Sequence, residues 1–419
     1  MTGTTVVTPE NGASVKDPQH KGYLDLMKMD PRRLSIFQES FPKQPWFLWN
    51  MLGSKTSTPV DEDAIDFMTF WTDEDDHNLC PLPYVCHCDP GIPIEEFDAQ
   101  KVVMESFKVP YMKTNVKITS CNPKYFEHQL RDIPGLPWNS MTPKQRINMF
   151  TAEMLRRQTV QMDVTEKHQF YNFLVYGRAR FENPSVPLKD QWVDLGRDPY
   201  LQLEMPECED WSLHPEADRI QHIRWIVNML RDRSMKYSVA SHHFFSPEAR
   251  RCLFEGSKWR ALQCCTGDGR VREDFKIDLL DKPAFRGGKR IKFVIGEDDE
   301  FFYEVDEKIM MSIETSPGQF VKKKVPVIPP GAVLTVAQPD LRPLSLYGRI
   351  HHLDVMESRK RWVNKYYSLD RSCVNFDSHS APFHPLRGIN STLLWFPCPD
   401  RYPPPPNVKT KLIQVTDGD

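Results

Sequence analysis

Residues 290–305 read RIKFVIGEDDEFFYEV. Ile291, Phe293 and Ile295 alternate with polar neighbours, Gly296-Glu297-Asp298-Asp299 supplies turn residues, and Phe301, Tyr303 and Val305 alternate again. A period of two on both sides of a glycine-acidic turn predicts a β-hairpin. Ile309, Met311 and Ile313 continue the alternation, whereas Val325 to Val336 is interrupted by Pro326, Pro329 and Pro330. Prolines cannot donate to a ladder, so that last run is expected to be an edge strand or an extended connector. A small antiparallel sheet of three or four strands is the economical reading.

Upstream of residue 290 the period is helical. Thr142 and Pro143 give a cap-then-proline start, and Ile147, Phe150, Met154 and Leu155 follow at helical spacing. A helix to about Met162 is expected, then a second from Thr165 to Tyr176 ended by Gly177. Ile220, Ile223, Val227 and Leu230 mark one face of an amphipathic helix. Ser246-Pro247-Glu248 repeats the start signal for a shorter helix through Leu253, closed near Gly256.

Downstream, Val355, Met356, Trp362, Val363 and Tyr366 suggest a helix from Leu353 to about Tyr367. The fold class expected is α+β: a helical central region, a small antiparallel sheet, and long irregular proline-rich arms at both ends. The corresponding divisions are 1–140 (extended, loop-rich), 141–275 (helical), 276–345 (antiparallel β) and 346–419 (helix plus irregular arm).

Average usage predicts roughly 29 Gly and 21 Pro in a chain of this length, but it holds 19 Gly and 36 Pro. Folds built on glycine-rich phosphate loops lose ground, and rigid extended connections gain it. The 54 basic and 57 acidic residues leave a net charge of -3, so no global field attracts nucleic acid, and no nucleic-acid partner is expected. Ten cysteines in 419 residues, irregularly spaced, suit reduced thiols in a reducing intracellular compartment. No apolar run approaches the roughly 20 residues of a membrane-spanning helix. The first twenty residues lack arginine and an apolar stripe, unlike a secretory or organellar presequence.

The sharpest local motif is Cys264-Cys265-Thr266-Gly267-Asp268-Gly269-Arg270. Its C-x5-R spacing resembles the phosphate-binding loop of cysteine-dependent phosphatases. That resemblance implies Cys264 as nucleophile, Arg270 as a bidentate phosphate clamp and Asp232 as leaving-group acid. Gln263 and Val271 stand where that family usually has His and Ser or Thr. Cys80, Cys86, His87 and Cys88 form the densest group of soft ligands, but the spacings of five and one do not match the paired ligands of structural zinc. His87-x-Asp89 and His352-x-Asp354, with His384 and Arg387 further on, match part of an iron-binding triad. No P-loop, dinucleotide fingerprint, zincin helix or nucleophile elbow is present. No cofactor and no metal are expected.

The expected function is therefore a non-catalytic structural or accessory subunit bound to other protein subunits of a large assembly. A mitochondrial ATP synthase or respiratory complex is the expected host, with a cytoplasmic location as the alternative. The alternative function is a cysteine phosphatase-like enzyme using residues 264–270, or a metal-dependent one. Trp46, Trp49, Trp395 and Phe396 lie in proline-broken segments and are expected to anchor interfaces. Deleting 391–419 is then expected to weaken assembly and spare the central helices. Because Gln263 and Val271 break the phosphatase pattern, Cys264→Ser should leave the protein's role intact; a wild-type phosphatase activity that this variant abolishes would show the opposite.

Overall fold

Between Lys144 and Tyr176 there is neither glycine nor proline, so nothing in the backbone chemistry interrupts a helix once it starts. In a computed structural model, which describes residues 46–60, 64–70, 102–119, 141–181, 192–234, 242–256, 276–279, 288–295, 298–316, 319–350, 362–367, 373–406 and 408–413, this stretch is one helix, Pro143–Tyr176. It replaces the two helices expected. The start is a capping box: the Gln145 amide donates to Thr142 Oγ1 at 3.4 Å, and the Thr142 amide donates to Gln145 Oε1 at 2.8 Å. The end is Gly177 at φ +71°, where a Cβ would lie 2.9 Å from Arg197 Cβ.

Two compact units are assembled from segments far apart in sequence. In the first, strand Cys373–Ser380 is the middle of a three-stranded antiparallel sheet, flanked by Trp362–Tyr367 and Met112–Thr119. The helix residues up to Asp163 belong to this unit. Gln158 there donates to the Phe376 carbonyl and accepts from Ser378 Oγ, each at 2.8 Å. Lys113 Nζ lies 3.0 Å from Asp377. The helix expected over Leu353–Tyr367 is corrected over its last six residues, which are a strand. Aromatic and β-branched residues at Trp362, Val363, Tyr366 and Tyr367 favour a pleated surface once a ladder is offered by Cys373–Ser380.

The second unit is built on an eight-stranded mixed sheet. Its order is Lys411–Leu412, Gln202–Glu204, Thr392–Phe396, Val333–Val336, His242–Phe245, Asp298–Val305, Gly288–Ile295, Lys276–Leu279. The hairpin 288–305 is present in the register Ile291↔Phe302. The sheet around it is larger than expected, and three of its pairings are parallel. Val333–Val336 is a central strand rather than an edge, because the prolines that disqualified the longer run lie outside these four residues. The C-terminal region likewise holds the central strand Thr392–Phe396 rather than an irregular arm.

Alternation sorts the side chains of the central strands into two cores. Leu334, Val336, Leu394, Phe396 and Phe244 join one apolar cluster with Phe170, Phe173 and Leu174 of the long helix. Val333, Leu393, Trp395, Phe245 and Phe302 join the other with Ile223, Ile226 and Leu230 of helix Arg219–Arg233 and with Ala249, Cys252 and Leu253 of helix Pro247–Glu255. Helix Pro247–Glu255 starts as the sequence indicates, with the Ser246 side chain accepting from the Ala249 amide, and helix Arg219–Arg233 is capped by Asp218, which accepts from the Gln221 amide. Polar residues inside the sheet are paired: His243 bonds Thr335 at 3.0 Å and Glu300 at 3.1 Å.

Arg197 closes the structure at the end of the long helix. Its guanidinium donates to the carbonyls of Val175 and Leu174, each at 2.6 Å, and to Thr392 Oγ1 at 2.7 Å. A cation at a helix C-terminus satisfies the last carbonyls and complements the macrodipole.

The strand Thr392–Phe396 decides the fate of a truncated chain. Leu393, Leu394, Trp395 and Phe396 are fully buried, together worth roughly 6–12 kcal/mol, which is comparable with the net stability of a whole domain. Deletion of 391–419 should therefore abolish cooperative unfolding and lower helical circular dichroism. Removal of 414–419 leaves every described strand intact and should keep both. Full helicity in the longer deletion would contradict this placement.

Candidate functional site

Four large apolar residues in a row, Trp46-Phe47-Leu48-Trp49, cannot be solvated cheaply, and they form the start of a short helix, Phe47–Leu52. Phe47 and Leu48 are fully buried, worth roughly 1.5–3 kcal/mol each. Phe47 packs on Tyr303 and Phe244, with ring centroids 5.7 and 6.3 Å away. Trp46 meets Tyr171 edge-on at 6.3 Å. Trp49 meets Phe170 and His384 edge-on, each at 5.0 Å, and the Lys167 ammonium lies 4.0 Å from its ring centroid.

Polar groups fix this segment as firmly as the rings do. The Glu307 carboxylate accepts from the Phe47 amide at 2.7 Å and the Leu48 amide at 3.4 Å, satisfying donors that a helix start leaves open. Behind Trp49, Glu166 accepts from the Tyr347 hydroxyl at 3.4 Å, and His384 Nε2 lies 4.0 Å from the same carboxylate. Gln169 accepts from the His384 amide at 2.8 Å and donates to the Pro382 carbonyl at 3.3 Å. The arrangement holds a segment in place. It brings no nucleophile to a base, and among the described residues no group of three or more His, Cys, Asp or Glu could hold a metal ion.

The anchors named from sequence fall into two groups. Trp46 and Trp49 are half-buried on the chain's own core. Trp395 and Phe396 are corrected: both are fully buried in the sheet, Trp395 against Trp211 at 5.3 Å, and have no surface left for a partner. The sequence argument that short proline-broken segments cannot bury such rings fails because strands from elsewhere in the chain cover them. Asp232 is an exposed helix residue 3.7 Å from Arg231. Cys264 and Arg270 lie outside the described residues, as do Cys80, Cys86, His87 and Cys88. Asp89, His352 and Asp354 also lie outside them, while His384 is spent in the packing just described. Glu307 and Arg197 escaped the sequence reading because their partners are about 260 and 22 residues distant, and no local pattern marks either.

No protein-family description matches the chain, and no characterised protein matches it in sequence. Among solved structures, a prophage protein of Escherichia coli CFT073 assigned as a capsid protein is 14% identical, with a TM-score of 0.59 over 88% of this chain and 99% of that one. The two share a fold. Weaker likenesses, at TM-scores of 0.40 and 0.36, are to a phage-related protein of Bordetella bronchiseptica (10% identity, 88% of this chain, 97% of that one) and to an encapsulin complex of Synechococcus elongatus (9% identity, 85% and 91%). The shared fold corrects the expectation of an ATP synthase or respiratory-complex subunit, and the mitochondrial location falls with it. No helix among the described residues is long and apolar enough to cross a membrane.

Burial pushes the Glu307 carboxyl up from its ordinary 4.5 to about 7, although the Phe47 and Leu48 amides pull the other way. A folded-state value above the unfolded one means that docking takes up a proton. Its contribution is full below about 4.5 and is lost as pH rises through about 7. Glu307→Gln keeps an acceptor and removes the charge. It should stabilise the chain by on the order of 1–3 kcal/mol at pH 8 and hardly at all at pH 5. Urea denaturation at the two pH values measures this, and an equal difference at both would refute it.

Proposed function

We propose that this chain is a capsid-type structural protein that acts by assembling with further protein subunits into a closed shell, and that it carries no catalytic activity. The observation behind the reading is the likeness at TM-score 0.59 to the prophage protein assigned as a capsid protein, which extends over 88% of this chain and 99% of that one. A match across nearly the whole of both chains concerns the architecture rather than a shared module. The described residues support it in kind: the buried polar groups Arg197, His243 and Glu307 are engaged in holding a helix end, strands and the 46–52 segment together.

The test is the state of association of the full chain. Light scattering after size exclusion, followed by negative-stain electron microscopy, should show large, uniform, hollow particles or discrete ring-like oligomers that build up with concentration. A chain that stays monomeric over a wide concentration range and in crowding salts would overturn the reading.

A further inference from the structure

Strands Lys308–Ser316 and Gln319–Pro326 pair with each other and form a two-stranded sheet of their own. At about 3.3 Å per residue, such a ribbon reaches roughly 25–30 Å. Its root is held: Ile309 and Val327 belong to the core. Beyond the root, Met310 is 49% exposed and Val321 is 53% exposed. The register pairs Ile309 with Val325 and Met310 with Lys324, so Val325, Lys323 and Val321 continue the face that starts at buried Ile309. Lys323 and Lys324 are exposed. A two-stranded ribbon is marginal in water by itself, and exposed apolar residues on it gain burial only from something outside it. The lysines discourage like ribbons from adding edge to edge, which leaves an acidic partner.

The same chain presents one. From Glu204 to Asp218 there are six acids, Glu204, Glu207, Glu209, Asp210, Glu216 and Asp218, and no lysine or arginine. Asp210 is buried holding a turn, and Asp218 caps a helix. Glu207 is exposed, Glu216 is 71% exposed at its side chain, and Glu209 is partly exposed beside His222. Leu213 among them is 43% exposed. The two surfaces are complementary twice over, basic with apolar residues against acidic with an apolar residue.

We infer that the 308–326 ribbon of one copy docks on the acidic 204–218 loop of a second copy through the face that carries Val321 and Lys323, with Val321 meeting Leu213 and Lys323 meeting Glu207 or Glu216, while Met310 and Lys324 lie on the opposite face. This rests on the shell reading and deepens it. With the ribbon and the loop of one copy engaging two different neighbours, as a shell requires, the contact is head-to-tail and closes a ring where its rotation permits. Charge complementarity of this kind steers encounter and fixes the partner's identity, and it weakens as salt screens it.

Wild-type protein grown in light and heavy nitrogen, mixed, assembled and treated with a carbodiimide tests the contact without any substitution. Mixed-label peptides joining Lys323 to Glu207, Glu209 or Glu216 are expected. Their absence from assembled protein, or links in single-label peptides only, would overturn the inference. In a second arm, Lys323→Glu and Glu207→Lys/Glu216→Lys should each raise the concentration needed for assembly about tenfold or more, and a mixture of the two should associate again. Both variants assembling like wild type would overturn the contact while leaving the shell reading standing. A wild-type chain that never assembles would remove both.

Discussion

Arg197 is the constraint on which the second unit depends. A helix as long as Pro143–Tyr176 ends with carbonyls that need donors, and here they finish among buried rings where water cannot supply them. One guanidinium meets the carbonyls of Leu174 and Val175 and reaches across to Thr392 on the central strand. Helix, sheet and loop are thereby fixed at one point. A buried charge costs several kcal/mol to desolvate, and it repays that cost only while its hydrogen bonds are all made. Gly177 belongs to the same device, since any side chain there would strike Arg197.

Local chemistry made the helices legible. Thr142-Pro143 and Ser246-Pro247 mark starts, and Gly177 and Gly256 mark ends, because caps answer to neighbours within four residues. The hairpin at 288–305 was legible for the same reason. The sheet was not. Its strands include runs of two to five residues such as Gln202–Glu204, His242–Phe245, Val333–Val336 and Thr392–Phe396, too short to show a period and paired across nearly two hundred positions. Where both faces of a strand are buried, alternation disappears from the sequence altogether. A scatter of prolines then looks like an irregular arm when it is only the connections between central strands.

The tryptophans show both sides of this. Their size correctly required burial, but sequence gave no means of telling whether a partner or the chain itself would supply it. Trp49 finds Phe170, Lys167 and His384, and Trp395 finds Trp211. The Glu307 clasp was hidden by its separation of 260 residues from the amides it holds. Short runs of charge with one or two apolar residues, such as 204–218, were hidden in another way, because composition averages them away in a chain of net charge -3.

The position of Thr392–Phe396 in the middle of the sheet also has a consequence for biosynthesis. Strands laid down earlier by the ribosome, Gln202–Glu204 on one side and Val333–Val336 on the other, have no common neighbour until this one appears. Chains generally acquire structure as they emerge, N-terminal parts first, yet this sheet must wait until Phe396 has been translated. Until then Val333–Val336 presents an open edge to its surroundings, the kind of edge on which a strand of another chain can add.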